Sequence, residues 1–418
     1  MEARLTTADV VCPFCSLACD DLTVEANESD LQLSGPDCAI ARAGFGRRAE
    51  ASVPMVGGER ATLDAAVAGA ASLLSGSRMP LFAGLGTDTA GMREILALAE
   101  RTGGIVDHAG SRGLMANLRA QQDGGWVTAT LAEIRNRADL VLFVGTDAAA
   151  LAPRLVERCL SPRDTLFGPL ARRLVYLGHE LRPAEGLSAD IATLPCPAER
   201  LPEVVGALRA LVTGARLGPG PVAGLELAAL QSLADQLRAA RYAVIIWAAA
   251  DASGRHPDLL TGSLAGLTRE LNGKTRCAGL PLAGPDNIIG TNQVCAWQTG
   301  GPLRTSFANG GPDHDPARWS TESLLASGGV DCMLWLATLR EQHLPATSAP
   351  TIALFGPGLQ PTRPVDVAIP VGTPGLDHGG SIYRMDGVVS LPLRALRQIG
   401  LPSAAEVIRQ IAAQLPDL

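Results

Sequence analysis

The chain reads Pro80-Leu81-Phe82-Ala83-Gly84, then Thr89-Ala-Gly-Met-Arg-Glu-Ile-Leu-Ala-Leu-Ala-Glu-Arg101, then Gly104-Ile105-Val106-Asp107. The first and last segments are short apolar runs ending at a glycine or an aspartate, the pattern of a strand buried on both faces. Between them Met92, Ile95, Leu96 and Leu98 recur at helical spacing, so a helix covers the sheet. A strand, a helix and a second strand at these lengths form a parallel crossover unit.

The same alternation continues along the chain. A helix over 131–138 precedes a strand over 140–144, and strands at 174–177 and 191–194 are expected to complete that sheet. Thr213-Gly-Ala-Arg-Leu-Gly-Pro-Gly-Pro221 reads as an exposed linker. Beyond it come a helix over 225–240, a strand over 243–248, a helix over 259–271 and a strand over 276–280. A third set has a helix at 322–326, strands at 331–337, 351–355 and 365–370, and a helical tail at 403–415. The expected architecture is α/β: an N-terminal cysteine module over 1–60, interleaved doubly wound parallel-sheet domains over 61–212 and 222–402, and a C-terminal helix over 403–418.

Composition removes several function classes. At 418 residues the chain exceeds one typical domain, and 47% apolar against 18% charged residues excludes global disorder. A net charge of -7, aromatics at 4% and no Lys/Arg cluster leave no footprint for nucleic acid. Polar Thr6, Thr7 and Asp9 follow Met1–Leu5 where a signal peptide would be apolar, so a cytoplasmic location is expected. The run over 242–250 is nine residues, against the roughly 18 of a membrane span. No membrane partner is expected.

Of the nine cysteines, five at 159, 196, 277, 295 and 332 stand alone in the manner of small core residues. The other four follow the spacing Cys12-x2-Cys15-x3-Cys19-x18-Cys38. Thiolates two and three residues apart on a tight turn can occupy neighbouring corners of a tetrahedron that a distant fourth completes, which suits a [4Fe-4S] cluster or a structural zinc. The alternative is four reduced cysteines packing a small lobe.

Cys12-Pro-Phe-Cys15-Ser-Leu-Ala-Cys19-Asp-Asp-Leu-Thr-Val24 resembles the start of the B subunit of formylmethanofuran dehydrogenase, a branch of the molybdopterin/tungstopterin oxidoreductases that opens with a [4Fe-4S] module. Gly290-Thr-Asn-Gln-Val-Cys-Ala-Trp-Gln-Thr-Gly300 is similar to that family's GANQVLTWQTG stretch, and Ile382-Tyr-Arg-Met-Asp-Gly387 to its TAYRMDG segment. The resemblance implies a redox subunit of one-carbon metabolism with the molybdopterin oxidoreductase fold.

Three positions depart from that pattern. Anchored on Asp107 and Ser111, the family's Mo/W-ligating cysteine falls on Gly113 and its neighbouring His on Leu114, and neither side chain can bind a metal. Arg112 stays protonated and cannot ligate a cation. A Val-Val-Asp-Pro-Arg stretch is replaced by Gly178-His179-Glu180 after the strand at 174–177, and Ala39 stands where a basic residue often follows the fourth cysteine. No Mo/W-pterin centre is therefore expected. The resemblance then implies the redox-inactive B subunit of a methylotroph formyltransferase/hydrolase complex in tetrahydromethanopterin-linked metabolism, with A, C and D subunits as partners and a methanofuran-like carrier as a possible ligand. Arg112, Asn117, Asn292, Gln293, Gln298 and Arg384 are the candidates for a remnant cleft. The rivals are an active Mo/W dehydrogenase subunit and a stand-alone Fe–S protein.

Among the remaining candidates, His108 reads as a hydrogen-bonded structural residue ahead of a general base. The triplet Asp313-His314-Asp315 reads as a solvent-facing turn, and His378 belongs to another Gly-rich loop. The turn Gly84-Leu-Gly-Thr-Asp88 opens a helix and offers backbone N–H groups to an anion, without the spacing of a nucleotide loop.

Overall fold

The computed structural model describes residues 5–27, 30–49, 52–162, 164–178, 190–252 and 257–416. The chain divides into two units, one of residues 1–111 with 284–418 and one of residues 112–283. Each is a mixture of helices and a sheet with a parallel centre.

The first unit is built on Pro80–Gly86, every residue of which is buried. Ile105–Val106 pairs parallel on one side and Cys332–Ala337 on the other, followed outward by Thr351–Phe355 and Val367–Pro370. Short antiparallel strands finish both edges, Thr305–Ser306 and Asp313–His314 at one and Met55–Val56 and Glu59–Arg60 at the other. Helix Thr89–Thr102 forms because its apolar positions share one face. Met92, Ile95, Leu96, Leu98 and Ala99 are buried, Asp88 caps the N-terminus by accepting from Gly91 N, and Gly103 ends the helix at φ +64. Gly104 is needed next, since a β-carbon there would stand 2.4 Å from the Phe82 ring. The helix Ala404–Ala413 starts from a Ser403/Glu406 capping box, and Arg101 binds carbonyls at and just beyond its end, Ala412 O at 2.9 Å and Leu415 O at 2.8 Å.

The N-terminal lobe of this unit is a three-stranded antiparallel sheet of Leu5–Val10, Leu22–Ala26 and Leu31–Leu33 followed by helix Ala39–Phe45. Phe14 from the cysteine-bearing loop packs edge-on against Phe45, with ring centroids 5.3 Å apart.

The second unit holds a five-stranded, wholly parallel sheet in the order Asp190–Leu194, Arg173–Leu177, Leu140–Val144, Ala243–Trp247, Cys277–Pro281. The chain moves outward from Leu140–Val144 through two strands and returns to add Ala243–Trp247 on its other side. These two neighbours mark the point where strand order reverses, which is where open α/β sheets place ligands. Helices Leu201–Thr213, Leu227–Ala239 and Pro257–Leu271 supply the buried leucines Leu208, Leu211, Leu233, Leu237, Leu264 and Leu267 of its core.

Two expectations about connectivity are corrected. The strands at 80–86 and 105–106 do not share a sheet with those at 140–144, 173–177 and 190–194; the sheet of the second unit is completed by strands from beyond residue 240. The exposed segment at 213–221, expected to separate two domains, lies inside the second unit. Both follow from one pairing, Leu142 opposite Ile245, which joins residues about a hundred positions apart. Among the described residues no helix is long and apolar enough to cross a membrane.

Candidate functional site

The four N-terminal cysteines gather in one buried lobe. Cys12, Cys15, Cys19 and Cys38 are 3, 7, 5 and 8% exposed, and the turn that carries three of them is held by Cys12 N donating to Cys19 O and Ala18 N to Cys15 O. Burial, followed by the neighbouring Cys15, holds the Cys12 thiol well above its ordinary range, and burial raises Cys15 too. The donor set has the chemistry of an iron–sulfur or zinc site. As the side chains stand, among the described residues no group of three or more His, Cys, Asp or Glu is arranged to hold a metal ion, while Cys15, Cys19 and Cys38 are all near enough to act on the Cys12 thiol. Ala39, after the fourth cysteine, starts the exposed side of helix Ala39–Phe45.

After Ile105–Val106 the chain makes a polar knot. Asp107 is 2% exposed; it accepts from the Ser111 hydroxyl and from Thr321 N at 2.7 Å, and the Arg304 guanidinium pairs with it at 3.4 Å. Burial raises its pKa against the pull of Arg304. His108 is buried beside it with both ring nitrogens engaged. Nδ1 accepts from Gly110 N at 2.9 Å, which leaves Nε2 to donate to Asp286 O at 3.1 Å. That tautomer is neutral, and burial pushes its pKa down to about 4. His108 is a structural residue, in line with the reading of the sequence. His314 likewise binds a backbone carbonyl, Arg304 O, while Asp313 takes the Trp319 indole N–H and Asp315 caps Ala317 and Arg318. His378 lies against the Gly379 and Gly372 carbonyls. The Asp88 carboxylate already occupies the N-terminus of helix Thr89–Thr102 and leaves the turn at 84–88 unsuited to an anion.

The segment matched to the family's metal-binding loop is helical from Ser111 to Gly124. Arg112 is exposed, Leu114 half-buried, and Gly113 packs so tightly that a β-carbon would lie 2.8 Å from Ala250 N and 3.1 Å from Ala250 Cβ. Asn117, one turn on, accepts from Trp247 Nε1 at 3.0 Å.

In the first unit, the two family-like motifs meet. Asn287 Oδ1 accepts from Tyr383 N, Gln293 Nε2 donates to Gly387 O at 2.9 Å, and Trp297 packs edge-on against Tyr383 with centroids 5.7 Å apart. Asn292 accepts from Leu303 N, and Arg384 pairs with Asp386 at 2.9 Å. Of the six candidate cleft residues, Asn117, Asn292, Gln293 and Arg384 are thus engaged within their own units, while Arg112 and Gln298 are exposed. His179 and Glu180 lie outside the described residues. Sequence reading missed Arg304, whose role depends on a contact across 197 positions and a backbone φ of +66 that no periodicity announces.

No family model matches the chain. The B subunit of tungsten-containing formylmethanofuran dehydrogenase 2 from Methanococcus maripaludis is 27% identical over 434 residues, covering 98% of this chain and 99% of that protein. The B subunit of the formyltransferase/hydrolase complex Fhc from Methylorubrum extorquens is 35% identical over 334 residues, covering 78% and 87%. The chain therefore belongs to the family of formylmethanofuran dehydrogenase B subunits. Within it, the formyltransferase/hydrolase branch gives a close match in structure as well. A chain in the crystal structure of the formyltransferase/hydrolase complex (FhcABCD) from Methylorubrum extorquens, in complex with methylofuran, matches with a TM-score of 0.73 at 31% identity, covering 87% of this chain and 98% of that one.

Proposed function

We propose that this chain is the B subunit of a formyltransferase/hydrolase complex, assembled with A, C and D subunits, in which a formyl group passes from tetrahydromethanopterin to a methanofuran-like carrier and is released by hydrolysis. The chain itself carries no redox step. The observation behind this reading is Gly113: the position that should supply the Mo or W ligand has no side chain, lies in the first turn of a helix, and has Ala250 where a side chain would go. The ancestral fold is then of the molybdopterin oxidoreductase type, retained as a scaffold. The cysteine lobe derives from a [4Fe-4S] module, and in this reading its four thiols serve as packing groups of the lobe.

Co-expression with A, C and D homologues tests it. The chain is expected to co-purify with them in a complex that transfers and hydrolyses formyl groups, without stoichiometric Mo or W and without viologen-linked oxidation of the formyl carrier. A chain that purifies alone in their presence defeats the complex reading, and stoichiometric Mo or W restores the dehydrogenase reading.

A further inference from the structure

Arg47 follows helix Ala39–Phe45 and turns its guanidinium inward over the Phe14 ring, 5.1 Å from the centroid. Its Nε donates to Gly44 O at 3.3 Å. Both terminal nitrogens are buried without a hydrogen-bond partner. Two carboxylates act on it from further off, Asp377, already held by Arg397 at 2.7 Å, and the buried Asp286. A buried cation whose donors are unpaired is costly, and native proteins rarely leave one without an ion or ligand to answer it.

Beside it lies a cavity of about 260 Å³, bordered by Arg47 and Arg340 and walled by Phe14, Ile40, Leu339 and Leu359. The wall is almost wholly apolar, and Arg47, Arg340 and the exposed Glu341 are the charged residues on its border. The volume, about 260 Å³, falls just below the roughly 300–1,000 Å³ of ordinary ligand pockets, which suits a small organic molecule. A carboxylate supplies what Arg47 lacks, two coplanar acceptors for its forked N–H donors. The terminal nitrogens are covered in the structure, so an occupant reaches them only if the guanidinium turns off Phe14 toward the cavity it borders.

We propose that this cavity binds a small monocarboxylate with an apolar body, its acid group on Arg47 and Arg340 and its carbons against Phe14, Ile40, Leu339 and Leu359. The site is independent of the formyl-transfer reading, since it requires no other subunit.

Calorimetric titration of the purified full chain with butyrate, hexanoate, benzoate, butyramide and inorganic phosphate tests it. At least one carboxylate is expected to bind saturably, with butyramide at least about tenfold weaker than butyrate because it forgoes a charge-assisted pair. Arg340→Gln should weaken binding by a similar factor. Ala43→Trp, placed on an exposed helix position at the cavity mouth, should block it while leaving the thermal melt unchanged. Absence of saturable carboxylate binding, equal affinity for acid and amide, tighter binding of phosphate, or undiminished binding by Ala43→Trp would each overturn the proposal.

Discussion

Gly113 and the backbone of Ala250 approach so closely that a β-carbon on Gly113 would stand 2.8 Å from Ala250 N. A cysteine cannot be restored at this position without moving the helix Ser111–Gly124 or the segment that carries Ala250. The proposed loss of a redox ligand at Gly113 thus comes with closure of the space that a side chain there would need.

Gly113→Cys should destabilise the chain by about 1–3 kcal/mol, the usual cost of forcing volume into a packed contact, and should confer no Mo or W binding. Urea unfolding of the variant beside wild type measures the first, elemental analysis the second. Wild-type stability would mean the contact is slack.

Asp107 and Arg304 form a pair in which the carboxylate also holds Ser111 and Thr321. Asp107→Asn keeps the shape and removes the charge, leaving Arg304 buried without its partner. A loss of about 3–5 kcal/mol is expected. Adding Arg304→Met should recover part of it, because an uncharged pair no longer strands a buried cation. If the double variant is less stable than the sum of the singles, the pair is not the source of the loss.

The parallel sheets were legible in the sequence because their strands advertise themselves. Leu140–Val144 and Thr351–Phe355 are short apolar runs flanked by polar or turn residues, and the structure keeps their expected bounds. The partition into units was not legible, since the pairing of Leu142 with Ile245 is a tertiary choice that local pattern does not encode. Helix Ser111–Gly124 escapes sequence reading too: its Gly110-Ser-Arg-Gly start reads as a turn, and its later turns are half-exposed and polar. Asp107 and Ser111 stand out in the sequence as anchors of that segment, and the bond between them explains why the two residue types stand at that spacing. Arg47 gives no signal, because nothing in a sequence marks a guanidinium whose terminal nitrogens end up buried without a hydrogen-bond partner.

His108 should make the fold acid-sensitive. Its pKa is about 4 in the folded chain against an ordinary 6.5, so between those values the unfolded chain takes up a proton that the folded one refuses. Stability therefore falls as pH drops through that window, by up to about 3 kcal/mol from this residue. Asp107, raised by burial, works in the opposite direction and reduces the net effect. Comparing wild type with His108→Gln isolates the histidine: the variant is less stable at pH 7 but should lose less on going to pH 4. Parallel pH profiles for the two proteins would show that the imidazole is not the titrating group.

The cysteine lobe offers a test that does not depend on detecting a cofactor. Four thiols that merely pack should each cost on the order of 1 kcal/mol when changed to alanine, so that Cys12→Ala, Cys15→Ala, Cys19→Ala and Cys38→Ala accumulate towards the loss of the quadruple variant, allowing for coupling between neighbours. A bound metal behaves otherwise, because its binding free energy is folding free energy and most of it disappears with the first ligand removed. The placement of the thiols, with no three sharing a metal-sized site, predicts the cumulative pattern, together with substoichiometric iron, acid-labile sulfide and zinc in protein purified without air. A first substitution that takes most of the quadruple loss, with stoichiometric metal in the wild type, would put a cluster or zinc on these four sulfurs.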